Sequence, residues 1–251
     1  MSEIKRSTIF SGKVASPLRL ADTVSDAIAA ALLEGSIAPG EALPPEGEIA
    51  KEFGVSRPIA REALRQLTSA GLVTTQQGKV ARAKALSGEP MDKIYGYAVR
   101  SSIKSLKEAN EMRRVMETGI AKLAASRRDA DGLALMRKAL ADMHSSLGNP
   151  QEFTEADIRF HLGMAMTTGN SMIRIQIEGL RSIQTQVSEI FSTRSTRSMD
   201  DWRRTVARHQ DIFKAIEAGD PQAAEDRILA HYEAADVASV EVAEDSRGGN
   251  P

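Results

Sequence analysis

From Leu18 to Leu33, apolar side chains recur at Leu20, Val24, Ala27, Ile28, Ala31 and Leu32, spacings of three and four that predict a helix with one buried face. Gly35 stops it. Two shorter helical patterns follow. The first is carried by Glu48, Ile49, Ala50 and Phe53, with Pro44 and Pro45 at its entry and Gly54 at its exit. The second runs from about Arg57 to Ala70, with Ser56 as its N-cap and Gly71 as its stop. Its buried side is Ile59, Ala60, Ala63, Leu64 and Leu67. Val73–Gln76 and Val80–Ala83 read as short strands flanking Gln77-Gly78-Lys79, a hairpin. Beyond Pro90 strand-type alternation is absent. Helices are expected at 91–104, 106–127, 130–147, 151–168, 171–192, 199–218 and 221–241. Gly148-Asn149-Pro150, Gly169-Asn170 and Gly219-Asp220-Pro221 punctuate them.

The polar side of the third helix adds chemistry. Arg57, Arg61 and Arg65 recur every four residues and form one stripe. Like charges at that spacing repel by a few tenths of a kcal/mol each. Nothing internal to the helix compensates them, so an external anion is the natural partner. Short helix, tight turn, basic second helix and hairpin together describe a winged helix-turn-helix, whose second helix is the recognition helix. The alternative is a helical hairpin with a solvated arginine face. The fold class expected is mainly α, an N-terminal winged helix-turn-helix followed by an all-helical bundle domain.

Composition sharpens this division. The chain of 251 residues carries a net charge of −1, which argues against a basic field over the whole molecule. Residues 1–85 hold 11 Lys and Arg against 9 Asp and Glu, while the remainder holds 22 against 25, so the N-terminal part is the better nucleic-acid candidate. Cysteine is absent, which excludes disulfides and thiolate metal sites. No apolar run is long enough to cross a bilayer, and the first sixteen residues lack a signal-type apolar stretch, so a cytoplasmic protein is expected. The expected organisation is a disordered arm at 1–16, the DNA-binding domain at 17–84, a linker at 85–91, the helical domain at 92–242 and a frayed tail at 243–251.

Four histidines stand in the chain: His144, His161, His209 and His231. Asp157 and His161 are four apart on one expected helix and share a face. His209 and His231 lie on the next two long helices, 22 residues apart. If those helices pack together, one carboxylate and three imidazoles converge, a sulfur-free set suited to Zn, Ni, Mn or Fe(II). Spacing alone also admits four ordinary hydrogen-bonded or surface residues. Trp202, the only tryptophan, precedes His209 by seven residues on roughly the same face. It would line a cavity there or simply pack in the core.

The ordered set Pro39-Gly40, LPPE, EIA, FGVSR, REAL-x-x-L, GLV and Q-x-G, spread over Leu20 to Ala83, resembles the winged helix-turn-helix of GntR-family transcription regulators. EMRRVMETGIAKLAA, ADIRFHLGMAMTTGN and RHQDIFKAIEAGDPQAAEDRILAHY resemble the helical effector-binding FCD domain of that family's FadR-type branch. The resemblance implies a homodimer on a two-fold DNA operator, with contacts from Ser56, Arg57, Arg61, Arg65 and the wing residues Gln77, Gly78 and Lys79. It assigns Asp157, His161, His209 and His231 to a divalent metal such as Zn, Ni or Mn, and leaves His144 as an ordinary polar residue. It also implies a small organic acid as effector, sugar acids among them, with Arg113 facing the cavity. An Arg113–Glu117 pair along the helix is the other reading of that arginine. Three positions depart from the family pattern: Gly47 stands where an arginine is usual, Pro58 where a serine or threonine is usual, and Val80 where the wing commonly has a glycine. A metal-dependent enzyme on the helical domain is the alternative function. Against it, no separate general base or nucleophile is identifiable, and the N-terminal motif would be idle.

Overall fold

The computed structural model describes residues 17–75, 80–192 and 197–248. The chain divides by packing into two units, Met1–Leu86 and Ser87–Pro251. In the first unit, α1 (Pro17–Leu33) is followed by α2 (Glu46–Glu52), α3 (Arg57–Ser69), β1 (Val73–Thr74) and β2 (Arg82–Ala83). The two strands are antiparallel, Val73 opposite Ala83 and Thr74 opposite Arg82. Residues 40–43 run beside β2, with Leu43 donating to Ala81 at 2.8 Å and Ala83 to Glu41 at 2.9 Å. The tip of the expected hairpin, with Gln77, Gly78 and Lys79, lies outside the described residues.

A small core explains these elements. Val24 and Ile28 of α1 meet Ile49 and Ala50 of α2, Ala60, Ala63, Leu64 and Leu67 of α3, and Val73 of β1, all buried. Burial at Ala60, Ala63, Leu64 and Leu67 follows the expected periodicity and leaves Arg57, Arg61 and Arg65 exposed. Gly54 and Gly71 stop α2 and α3 with φ of +64° and +74°, conformations costly for residues with a Cβ. Ser56 caps α3 by position, although its hydroxyl makes no capping hydrogen bond.

The second unit is all helix: α4 (Glu89–Val99), α5 (Ile103–Arg127), α6 (Ala130–Ser145), α7 (Pro150–Thr167), α8 (Ser171–Glu178), α9 (Arg181–Ser192), α10 (Met199–Ala218) and α11 (Pro221–Gly248). Side-chain oxygens of Ser102, Asp129, Asn149, Asn170 and Ser198 accept backbone N–H groups at helix starts. The buried helix α7 packs against α5, α6, α8 and α9. Its fit to α6 depends on glycine. A Cβ on Gly132 would stand 2.2 Å from the Thr167 nitrogen, and one on Gly163 would stand 2.8 Å from the Met136 side chain. No helix among the described residues is long and apolar enough to cross a membrane.

Several expected boundaries differ; the helix expected at 91–104, for one, ends at Val99. The single helix expected over 171–192 is broken at Gly179-Leu180. There the backbone at Gly88 approaches so closely that a Cβ on Gly88 would stand 2.1 Å from the Gly179 nitrogen. Asp92 of α4 accepts the Ser182 N–H and so supplies the cap for the restart. Gly88 and Pro90, read as linker residues, are the N-cap and second residue of α4. The segment expected to fray from residue 243 continues α11 to Gly248.

Candidate functional site

Four helices of the second unit converge on one buried polar cluster. α7 contributes Asp157 and His161, α10 His209, and α11 His231 and Tyr232. α5 adds Arg113 and Glu117, four residues apart and hence on one face. The ring centroids are 5.6 Å apart for His161 and His209, 5.4 Å for His161 and His231, and 4.6 Å for His209 and His231. One nitrogen from each of the three rings lies within 4.8 Å of the other two. Phe160 closes one side, its ring edge to face with both His161 and His209.

The hydrogen bonds decide what these nitrogens can do. His209 Nδ1 lies 2.8 Å from the Thr205 carbonyl oxygen, an acceptor, so Nδ1 carries a proton and Nε2 is the nitrogen turned toward Asp157. That Nε2 faces Asp157 Oδ1 at 3.0 Å. A carboxylate oxygen so placed requires a proton on Nε2 or a cation between the two groups. His161 Nδ1 bonds Glu117 Oε2. Among the described residues, His161 Nε2 and His231 Nδ1 are shut off from solvent without a hydrogen-bond partner, and His209 Nε2, also enclosed, meets only Asp157. His231 as a residue is half-buried, yet its Nδ1 is fully enclosed.

Charge is unbalanced in the same place. Burial opposes ionisation of Glu117, but His161 and Arg113 more than offset it and hold the carboxyl at about 2. Asp157 is also pulled below the ordinary range, burial being outweighed by the neighbouring imidazoles, His209 foremost. Burial keeps His231 neutral by pushing its pKa well down. Arg113, 3 % exposed, stays charged. Its Nε donates to Glu117 Oε1 at 3.1 Å, and its guanidinium lies 5.5 Å from the Tyr232 ring centre. Two carboxylates therefore face one guanidinium. The difference must be made up by protons on imidazole or by a cation.

The three expected histidines are thus in one place; Asp157 reaches His209 but falls outside their set of mutually close atoms, and Arg113 is nearby. Arg113 pairs with Glu117 along the helix, and that pair lies beside the histidines. The sequence reading gave Glu117 only as a partner for Arg113 and missed that it anchors His161. The spacing shows only that Arg113 and Glu117 share a face of α5; that this face packs on α7 is decided by the tertiary fold. Trp202 serves the core. It is buried edge to face on Phe153 at 4.7 Å, with the Arg197 guanidinium 3.9 Å from its ring. His144 lies on the exposed side, 2.7 Å from Gln210.

In the first unit the arginine stripe is not without compensation, contrary to the sequence expectation. Arg61 pairs with Glu46 of α2 at 2.9 Å, and Arg65 with Glu62 of its own helix at 2.6 Å. The helix wheel could not show the first, which needs α2 folded against α3. Arg57 lies over α2 at Gly47, where a Cβ would stand 3.4 Å from its guanidinium, so the glycine leaves room for it. Arg61 and Arg65 border a recess of about 570 Å³ between α3 and the strands, also lined by Glu46, Thr68 and Val80.

The family model of the bacterial regulatory proteins of the gntR family matches residues 20–82, and that of the FCD domain matches residues 108–234. The HTH-type transcriptional regulator LutR of Bacillus subtilis (strain 168) is 29% identical over 203 residues, which cover 78% of this chain and 90% of the relative. The galactonate operon transcriptional repressor of Escherichia coli (strain K12) is 29% identical over 202 residues, covering 79% and 87%. The structure titled Streptococcus agalactiae GntR shares the fold with a TM-score of 0.63 at 24% identity, over 85% of this chain and 98% of that one.

Proposed function

The chain belongs to the GntR family of bacterial regulatory proteins, its second unit an FCD domain; from that premise we propose that a divalent metal in the second unit senses a small organic acid and that this controls DNA binding by the first. Asp157, His161, His209 and His231 would hold the ion. The observation that carries this reading is the set of three enclosed imidazole nitrogens close to one another beside an ionised carboxylate, two of them without a partner among the described residues. An apolar environment makes such groups costly when left alone, and a cation converts the cost into attraction. The residues fit the group: neutral imidazoles and carboxylate suit Zn, Ni or Mn. When bound, the ion supplies a Lewis-acid site for the carboxylate of an acid.

This chain's own residues do the rest. Thr205 fixes the His209 tautomer through its carbonyl, and Glu117 fixes the ring of His161, as outer partners of metal ligands do. Arg113 offers a buried positive charge to an anionic effector, and its partner Glu117 ties that charge to His161. One relative is named for a galactonate operon, and galactonate is a sugar acid, which supports an organic acid as the class of effector. In the first unit Ser56, Arg57, Arg61, Arg65 and the wing residues Gln77, Gly78 and Lys79 would meet the operator. A dimer would present two recognition helices about one turn of DNA apart. The protein would act inside the cell, where its operator is.

Elemental analysis of untagged protein tests the reading directly. Near-stoichiometric Zn, Ni or Mn is expected, along with a thermal shift on adding a panel of sugar acids that a chelator abolishes. Protein that stays metal-free after incubation with all three ions would reduce the site to a polar cluster.

A further inference from the structure

The setting of Arg61 differs from that of its two neighbours on the stripe. Glu46, the first residue of α2, takes one edge of its guanidinium. Nε donates to Oε1 and Oε2 at 3.1 and 3.0 Å, and Nη2 donates to Oε2 at 2.9 Å. A guanidinium has two such forks. The Nε–Nη2 fork is used by Glu46. The Nη1–Nη2 fork at the tip has no acceptor among the described residues, and the side chain is 68% exposed. Arg61 is therefore held at its root by α3 and at its head by α2. Among the described residues, Arg65 is held only from its own helix, by Glu62 at 2.8 and 2.6 Å. Arg57 merely lies over α2 at Gly47.

A carboxylate at this place opposes DNA binding in general. It repels phosphate and offsets the charge of an arginine. What it provides is direction, because a long side chain otherwise loses several rotamers on binding. We propose that Glu46 is a positioning residue for base recognition: it fixes the head of Arg61 so that the tip fork meets the O6 and N7 acceptors of a guanine in the major groove. Glu46 thus raises discrimination between sequences while lowering affinity for DNA at large. The inference rests on the reading that the first unit binds duplex DNA through α3.

The test begins with selection of duplexes from a random library by the full-length protein. Titrations at fixed salt then compare the selected duplex with one changed at each G·C pair, and with a random-sequence duplex. The wild type is expected to prefer one G·C pair per half-site by about five- to hundredfold, the range of a bidentate arginine contact. Arg61→Ala should abolish that preference. Glu46→Gln, which removes the charge and leaves one acceptor oxygen where there were two, should reduce it about two- to tenfold and tighten binding to the random duplex. Glu46→Asp, which keeps the carboxylate, should retain part of it. In an Arg61→Ala background, Glu46→Gln should leave base preference unchanged. Thermal melts confirm that each variant is folded. Full preference in Glu46→Gln, an equal loss in the Arg61→Ala background, or preference surviving Arg61→Ala would each overturn the positioning role. A wild type that selects no sequence would overturn the DNA reading itself, and this inference with it.

Discussion

Replacing Glu117 by glutamine keeps the shape of the side chain and removes its charge. The consequence can be worked from its surroundings. Glu117 is fully buried between Arg113 and His161, and its carboxyl is held at about 2, against an ordinary 4.5. That difference corresponds to roughly 3 kcal/mol of stability. Breaking a buried pair by removing one partner costs about 3–5 kcal/mol by a separate route, so the two figures agree. The sign follows from the lowered pKa. The folded state binds the proton less readily than the unfolded state, so the contribution is complete above pH 4.5 and is lost as pH falls toward about 2. Trp202 provides the assay. It is the only tryptophan and is buried in the second unit, so its fluorescence reports unfolding of that unit. Chelator-treated wild type and Glu117→Gln are unfolded in urea at pH 7 and at pH 3. The variant is expected to be less stable by roughly 3 kcal/mol at pH 7, with the gap narrowing at pH 3. Equal stabilities at pH 7, or a gap that widens on acidification, would refute the reasoning.

Three further outcomes are expected. His209→Ala should lose most bound metal by elemental analysis and abolish the effector's thermal shift, while the first unit keeps measurable DNA affinity; full metal content in this variant would remove His209 from the ligand set. Lys79→Ala should flatten the dependence of log K on log salt by about one unit if the lysine pairs with a phosphate, and an unchanged slope in titrations at four salt concentrations would count against it. Gly132→Ala should destabilise the second unit by about 1–3 kcal/mol or more, because its Cβ would stand 2.2 Å from the Thr167 backbone nitrogen. Urea unfolding followed by Trp202 fluorescence checks this, and a wild-type midpoint would show that α6 and α7 can slide apart.

Periodicity alone was enough to place most of the helices, because the apolar faces of α1, α3, α5, α7 and α10 are local patterns and the stops at Gly54, Gly71 and Gly219 are local conformations. The Asp157–His161 pair was legible for the same reason, since four residues on a helix return to one face. Spacing could not show that His209 and His231 reach it. That convergence spans three helices and arises only from packing of α7, α10 and α11, as does the arrival of Glu117 on a fourth. The split of the expected 171–192 helix was invisible because its cause, the backbone at Gly88, comes from 90 residues away. The arginine stripe shows the division most clearly. Its spacing on α3 is fixed by sequence, whereas the partner of Arg61 was decided by α2 folding against α3, which brings a carboxylate fifteen residues distant to within 2.9 Å of its guanidinium.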